Sequence, residues 1–195
     1  MGLKIKFVLF TIAGIFATST PSFAGERLTA DFTQEKTLSG FKTPLKSSGK
    51  VVIFSDFGII WHQLRPFSTI TKISQDAIET ESTPGNISVI KMGEKAPSAS
   101  IQELLHAIFS SDEASLSKNF AVTKNSLGKG KTRLTLKPKK EGQFNLFKEI
   151  DLIKGVNLES VLLEDPTGSK TAITFTNTHR KIVSKEEAQR EFKGR

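Results

Sequence analysis

The chain has 195 residues, no cysteine, no tyrosine and a single tryptophan, Trp61. Without cysteine there is no disulfide framework, no thiolate metal site and no lipid-modified mature N-terminus. Histidine is also scarce. His62, His106 and His179 lie far apart with no carboxylate motif beside them, so no zinc-binding spacing is present. Neither a phosphate-binding loop nor a nucleophile elbow occurs: Gly128-Lys129-Gly130-Lys131 is too short for a P-loop and reads as a hairpin turn. The expectation is a protein that is not an enzyme and has neither metal nor cofactor.

Only one long apolar run exists, residues 7–17, and it follows Lys4 and Lys6. At about 11 residues it is short of the roughly 20 that cross a bilayer. Ser22-Phe23-Ala24 then places small residues at the two positions a signal peptidase reads. Residues 1–24 are accordingly expected to be a secretory signal peptide, cleaved after Ala24, which leaves a periplasmic chain from Gly25 to Arg195.

Negative charge is in the minority, with 20 acidic residues against 28 basic ones and a net charge of +8. Loss of the two leader lysines leaves 26 basic residues facing the same 20 acids, a balance of +6. That surplus suits a solvated surface, or weak attraction to anionic membranes or an acidic partner. The basic residues are spread along the chain without an aromatic-rich reading motif, so nucleic acid is not an expected partner.

Linkers, repeats and low-complexity tracts are absent from residues 25–195, which read as a single domain rich in β-strands. Lys50–Phe54, the turn residues Ser55-Asp56, and Phe57–His62 form a hairpin pattern. Thr69–Ile73 follows the Pro66 break, and Ile87–Ile90 follows Pro84-Gly85-Asn86. Lys131, Arg133, Thr135 and Lys137 alternate with Thr132, Leu134 and Leu136, the mark of a strand wet on one face and covered on the other. Leu146–Ile153, Leu158–Leu163 and Thr171–Thr176 extend the series, with a strong turn at Asp165-Pro166-Thr167-Gly168. The pattern predicts an antiparallel meander of eight or more strands.

One internal helix is predicted, capped at Ser98 or Ser100, with Ile101, Leu104, Leu105, Ile108 and Phe109 on its apolar stripe. A short charged helix up to Phe192 is predicted from Ser184 and Glu187, which have capping-box spacing.

Eleven phenylalanines remain after the leader, beside one Trp and no Tyr. Those rings either fill a core or line an apolar cavity between a curved sheet and the helix. The candidate lipid-binding wall comprises Phe57, Ile59 and Trp61 on one strand, Leu134 and Leu136 on a second, and Ile173 and Phe175 on a third. Leu104, Leu105, Ile108 and Phe109 form the candidate lid. A binding or scaffold module of the cell envelope with a filled core stands as the alternative.

Several positions together resemble the periplasmic lipoprotein carrier family, the LolA proteins. They are Phe32-Thr33-Gln34, Ser48-Gly49, Ile59-x-Trp61 twelve residues after that glycine, and Pro66 five beyond the Trp. Leu104-Leu105 to Phe109, Leu116 to Val122, the run Arg133 to Pro138, and Gly168 to Asn177 resemble further family segments, the first of them the family's helix. The resemblance implies an incomplete, strongly curved antiparallel β-barrel with a helical lid. It also implies a monomeric carrier that shields the acyl chains of a lipoprotein or other lipid between an inner-membrane donor and an outer-membrane acceptor. Two features depart from the family pattern. Only residues 25–31 stand before Phe32 where a longer lid helix is usual, and Ser55-Asp56 replaces an Arg-Pro pair before the Trp, so that arginine's polar latch is not carried over.

Overall fold

The computed structural model describes residues 23–55, 57–74, 76–82, 85–91, 104–105, 107–109, 112–139 and 146–194. Eleven strands form one antiparallel sheet: β1 (Phe23–Thr37), β2 (Leu45–Phe54), β3 (Gly58–Arg65), β4 (Thr69–Ile73), β5 (Ala77–Ser82), β6 (Asn86–Lys91), β7 (Phe120–Gly128), β8 (Lys131–Pro138), β9 (Glu149–Lys154), β10 (Leu158–Glu164) and β11 (Lys170–Ser184). Their order is β6-β5-β4-β3-β2-β1-β11-β10-β9-β8-β7. Every neighbouring pair is consecutive in the chain except β1 and β11, which join the two meanders at the centre. The sheet is open, with β6 and β7 as its edges.

That topology dictates where the helices go. β6 and β7 are successive strands at opposite edges, so the chain between them has to cross the sheet over one face. The helical residues Leu104, Leu105, Ala107, Ile108 and Phe109 lie in this crossing, followed by helix α1 (Glu113–Asn119). Their apolar side chains join one cluster with Leu28, Ala30 and Phe32 of β1, Val51 and Ile53 of β2, and residues of β3, β8, β9, β10 and β11. Trp61 on β3 and Leu136 on β8 belong to this cluster although six strand steps separate them in the sheet order. On a flat sheet those strands would stand about 29 Å apart. Sharing one core with the crossing segment therefore requires the sheet to bend around it.

The opposite, convex face has a smaller core. Phe54, Val183 and Ala188 are buried there, with Val52, Phe57, Ile60 and Phe192 packed against them. Helix α2 (Lys185–Lys193) covers this patch. Its start is the expected one: the Ser184 hydroxyl accepts a hydrogen bond from the Glu187 amide at 3.2 Å. Arg27 of β1 clamps the helix through two nitrogens, Nε to Glu191 Oε2 at 2.7 Å and Nη2 to Oε1 at 2.5 Å. This charge-assisted pair raises the pKa of Arg27, the hydrogen bond to Glu191 outweighing the cost of burial.

Phe57 falls on the convex side, which corrects the expectation that it shares a face with Ile59 and Trp61. Gly58 separates them with φ near +131°, outside strand geometry, so the alternation does not run through it. A similar change of phase occurs late in β11. Ala30 faces two residues, Asn177 and Thr178, because Asp31 pairs with Thr176 while Thr29 pairs with His179. Asn177 takes the left-handed conformation (φ 51°), and its side-chain amide donates to Asp31 Oδ2 at 2.8 Å. The extra residue moves subsequent side chains to the other face, so Phe175 is concave and Val183 convex.

The strand expected over Leu146–Ile153 is observed as Glu149–Lys154, with Leu146 left exposed in the preceding turn. The short stretch ahead of Phe32 is part of β1 and belongs to the sheet rather than to a lid. The expected helix cap at Ser98 or Ser100, and Ile101, lie outside the described residues. Among the described residues no helix is long and apolar enough to cross a membrane.

Candidate functional site

The concave face carries a run of aromatic rings that begins under the crossing segment. Phe109 meets Phe175 edge-on at 5.1 Å, Phe175 meets Trp61 edge-on at 6.4 Å, and Trp61 lies against Phe32 at 4.0 Å with the rings tilted by 33°. Three strands and the helical segment contribute to it. Edge-to-face packing of this kind adds about 1 kcal/mol per pair beyond area burial.

Gly49 shapes the far end of the run. It pairs with Phe32 on β1 and with Gln63 on β3, so it occupies the concave face between them with no side chain of its own. The space is closed from below: a Cβ at this position would stand 2.0 Å from the His62 carbonyl oxygen and 2.9 Å from Gln63 Cα. β3 approaches this closely because Leu64 is an extra residue there, Ser48 pairing with Arg65 and Gly49 with Gln63. Phe32 and Trp61 thus meet diagonally across β2, where Phe32 pairs with Gly49 and Trp61 with Val51.

The ten other candidate residues come together in or against the concave cluster. Ile59, Leu104, Ile108, Phe109, Leu134, Leu136 and Phe175 are buried, whereas Trp61, Leu105 and Ile173 are half-buried. The half-buried members keep part of their apolar surface uncovered. The wall also contains residues that the sequence pattern does not single out: Phe32 and Leu28 on β1, Val51 and Ile53 on β2, and Ile150 and Leu152 on β9. On β1 the signal is present in the residues, since Leu28, Ala30 and Phe32 alternate with Arg27, Thr29, Asp31 and Thr33.

Polar contacts hold the lid at Ala107 and Phe109. Arg180 projects from β11 beside the lid, where Nη2 donates to the Phe109 carbonyl at 3.5 Å, Nε donates to Asn157 Oδ1 at 3.2 Å, and Nη1 pairs with Glu26. Asp112 caps the start of α1. Its amide donates to the Ala107 carbonyl at 3.1 Å, and its carboxylate accepts from the Ala114 and Ser115 amides at 3.0 and 3.2 Å. The Ser115 hydroxyl is the leading cause that lowers the Asp112 pKa.

Leu116 of α1 is buried in the concave core, and Glu113 ties the helix to the sheet. Its carboxylate accepts from Lys124 on β7 at 2.9 Å and from Lys154 on β9 at 3.1 Å. Those two hydrogen bonds, Lys124 first, hold the Glu113 pKa below the ordinary carboxylate value. Lys139 adds a bond from Nζ to the Ser117 carbonyl at 2.6 Å.

The chemistry of this face is that of hydrocarbon. Among the described residues, no group of three His, Asp or Glu side chains is arranged to hold a metal.

The family model described as outer membrane lipoprotein carrier protein LolA matches residues 25–188. The chain belongs to the LolA family. Solved structures with a similar backbone include a LolA superfamily protein from Nitrosomonas europaea, with 7% sequence identity, a TM-score of 0.44 and coverage of 85% of this chain and 90% of that one. A putative outer membrane lipoprotein-sorting protein domain from Vibrio parahaemolyticus is also similar, with 8% identity, a TM-score of 0.43 and coverage of 88% and 92%. No curated protein matches the chain at a significant level. Within the LolA frame, the aromatic run and its helical cover occupy the concave side of the open sheet.

Proposed function

We propose that this LolA-family chain is a non-catalytic periplasmic carrier. It shields the acyl chains of a lipoprotein or another lipid between the concave sheet face and the helical segment, on the way towards the outer membrane. The reading takes residues 1–24 as the export signal and Gly25–Arg195 as one carrier domain. An inner-membrane donor and an outer-membrane acceptor are the partners it calls for.

The observation that carries the reading is the aromatic run from Phe109 to Phe32, with Trp61, Leu105 and Ile173 half-open beside it. An acyl chain in water costs about 0.8 kcal/mol per methylene, so covering a dozen of them contributes about 10 kcal/mol gross. Ordering of the chain and displacement of the lid offset much of this, which leaves a net affinity around micromolar. Smooth phenyl and alkyl walls without directional hydrogen bonds suit a carrier that also has to release its cargo.

The complete burial of Val51, Leu134, Leu136 and Ile150 favours a second reading, a scaffold whose core is already filled. Native mass spectrometry of protein taken from the periplasm separates the two. The carrier reading expects adducts of acyl-chain mass. A bare chain that also takes up no fluorescent fatty acid in vitro would contradict it.

A further inference from the structure

One end of the sheet combines exposed apolar residues with basic ones. The loop of residues 38–44 joins β1 to β2, and the loop of residues 66–68 joins β3 to β4. The pairs Lys36–Leu45 and Gln63–Thr69 close these two hairpins, and Ser48 pairs with Arg65 between them, so both tips project from the same end of neighbouring strands. Each tip carries a phenylalanine in solvent, Phe41 at 68% exposure and Phe67 at 77%. Leu45 and Leu64, 60% and 45% exposed, stand at the bases of the same loops. Single exposed apolar residues are ordinary, but four on two adjoining hairpins form a patch.

Within these two hairpin ends the charge has one sign, and the acidic residue beside them is Asp165 in the adjoining β10–β11 turn, whose carboxylate accepts from the Ser169 amide at 2.9 Å while the Ser169 hydroxyl accepts from the Ser39 amide at 3.2 Å. Residues 36–46 and 63–68 contain Lys36, Lys42, Lys46 and Arg65 and no acidic residue. Lys46 is occupied by Glu35 at 2.8 Å. Among the described residues, Lys36, Lys42 and Arg65 have no ion-pair partner.

We infer that this end of the molecule docks on an anionic lipid bilayer, with Phe41 and Phe67 entering the acyl boundary and Lys36, Lys42 and Arg65 lying among the headgroups. The layered chemistry matches: an apolar tip outermost and a basic collar behind it, facing a surface that is anionic first and hydrocarbon beneath. An acidic protein would satisfy the cations but would leave two phenyl rings on separate convex loops without pockets. Each cation near an anionic membrane adds attraction, and the rings add apolar burial. The inference rests on the carrier reading for its purpose, since a carrier has to visit membranes, but not for its test.

The test is co-sedimentation of the purified protein with vesicles of phosphatidylglycerol and phosphatidylethanolamine, beside vesicles of phosphatidylcholine alone. The native chain is expected to bind the anionic vesicles about tenfold more strongly, and added salt to weaken that binding. Phe41→Ser with Phe67→Ser, and separately Lys42→Gln with Arg65→Gln, should each lower binding about tenfold, while uptake of a soluble fluorescent fatty acid is unchanged. These positions are exposed, so unaltered circular dichroism is expected for both variants. Absence of native binding to anionic vesicles, or equal binding by native and variant chains, would overturn the docking surface; the former result would leave an acidic protein as the partner of this end. Vesicle binding without fatty acid uptake would instead refute the carrier reading and leave the docking surface standing.

Discussion

The Phe32 ring and the Trp61 indole lie 4.0 Å apart, centroid to centroid, although β2 runs between the strands that carry them. They meet diagonally across β2, where Phe32 pairs with Gly49 and Trp61 with Val51. Phe32 is 2% exposed, so the pair is a fixed part of the wall. Phe32→Ala is expected to cost about 3–5 kcal/mol and to shift Trp61 emission to the red as water reaches the indole. A thermal melt and an emission spectrum of the variant measure both; an unchanged melting temperature would show that the contact contributes little.

Gly49→Ala tests the same crossing from the backbone side. The added methyl would overlap the His62 carbonyl at 2.0 Å, and neither neighbour is a flexible side-chain end. A loss of about 3 kcal/mol is expected from denaturant unfolding, against about 1–2 kcal/mol for Gly40→Ala in the open β1–β2 loop. There no atom lies within 4 Å of where the new methyl would stand, and only the positive φ of 83° opposes it.

Arg180 joins β11 to the Phe109 carbonyl of the lid, to Asn157 and to Glu26. All of these contacts are near the surface, so Arg180→Gln should change global stability by less than about 1 kcal/mol. Its effect should instead be local. Hydrogen exchange of residues 104–109 is expected to speed up and fatty acid uptake to accelerate, whereas exchange across β8 and β9 stays slow. Equal exchange in the lid of native and variant chains would remove Arg180 from any holding role.

Acid should loosen α1. Lys124 and Lys154 lower the Glu113 pKa on folding, so the contact stabilises the native state above the unfolded carboxylate value and loses that effect as pH falls through the lower folded value. Glu113→Gln should therefore melt below the native chain at neutral pH, and the two should converge as acid takes the pH below the ordinary carboxylate range. A difference that persists undiminished in acid would show that the ion pairs are not its source.

Much of this architecture is legible in the residues. Strict alternation from Lys131 to Lys137 locates β8 and its covered face, Pro66 and β-branched residues bound β4, and Ser184 with Glu187 marks the start of α2. What escapes the pattern has physical causes. Phe57 looks continuous with Ile59 and Trp61 because alternation is blind to the backbone turn at Gly58. Asn177 gives no hint that it adds a residue to β11 and extends the strand to Ser184. α1 has seven residues, too few for a helical period, and only Asp112 as a cap marks it. Three strands of the concave wall announce themselves by their own patterns. The alternation of Leu28, Ala30 and Phe32 on β1 is just as regular, but it is short and follows directly on the expected leader.

Trp61 is the sole tryptophan and stands half-buried in the aromatic run, so a fatty acid brominated along its chain reports directly on whether hydrocarbon enters between sheet and lid. Titration should quench Trp61 emission saturably, unlabelled fatty acid should restore it, and Leu105→Glu should abolish the quenching while the far-ultraviolet spectrum stays native. Emission that falls only in proportion to the quencher added, with no saturation and no competition, would contradict an acyl-binding site on the concave face.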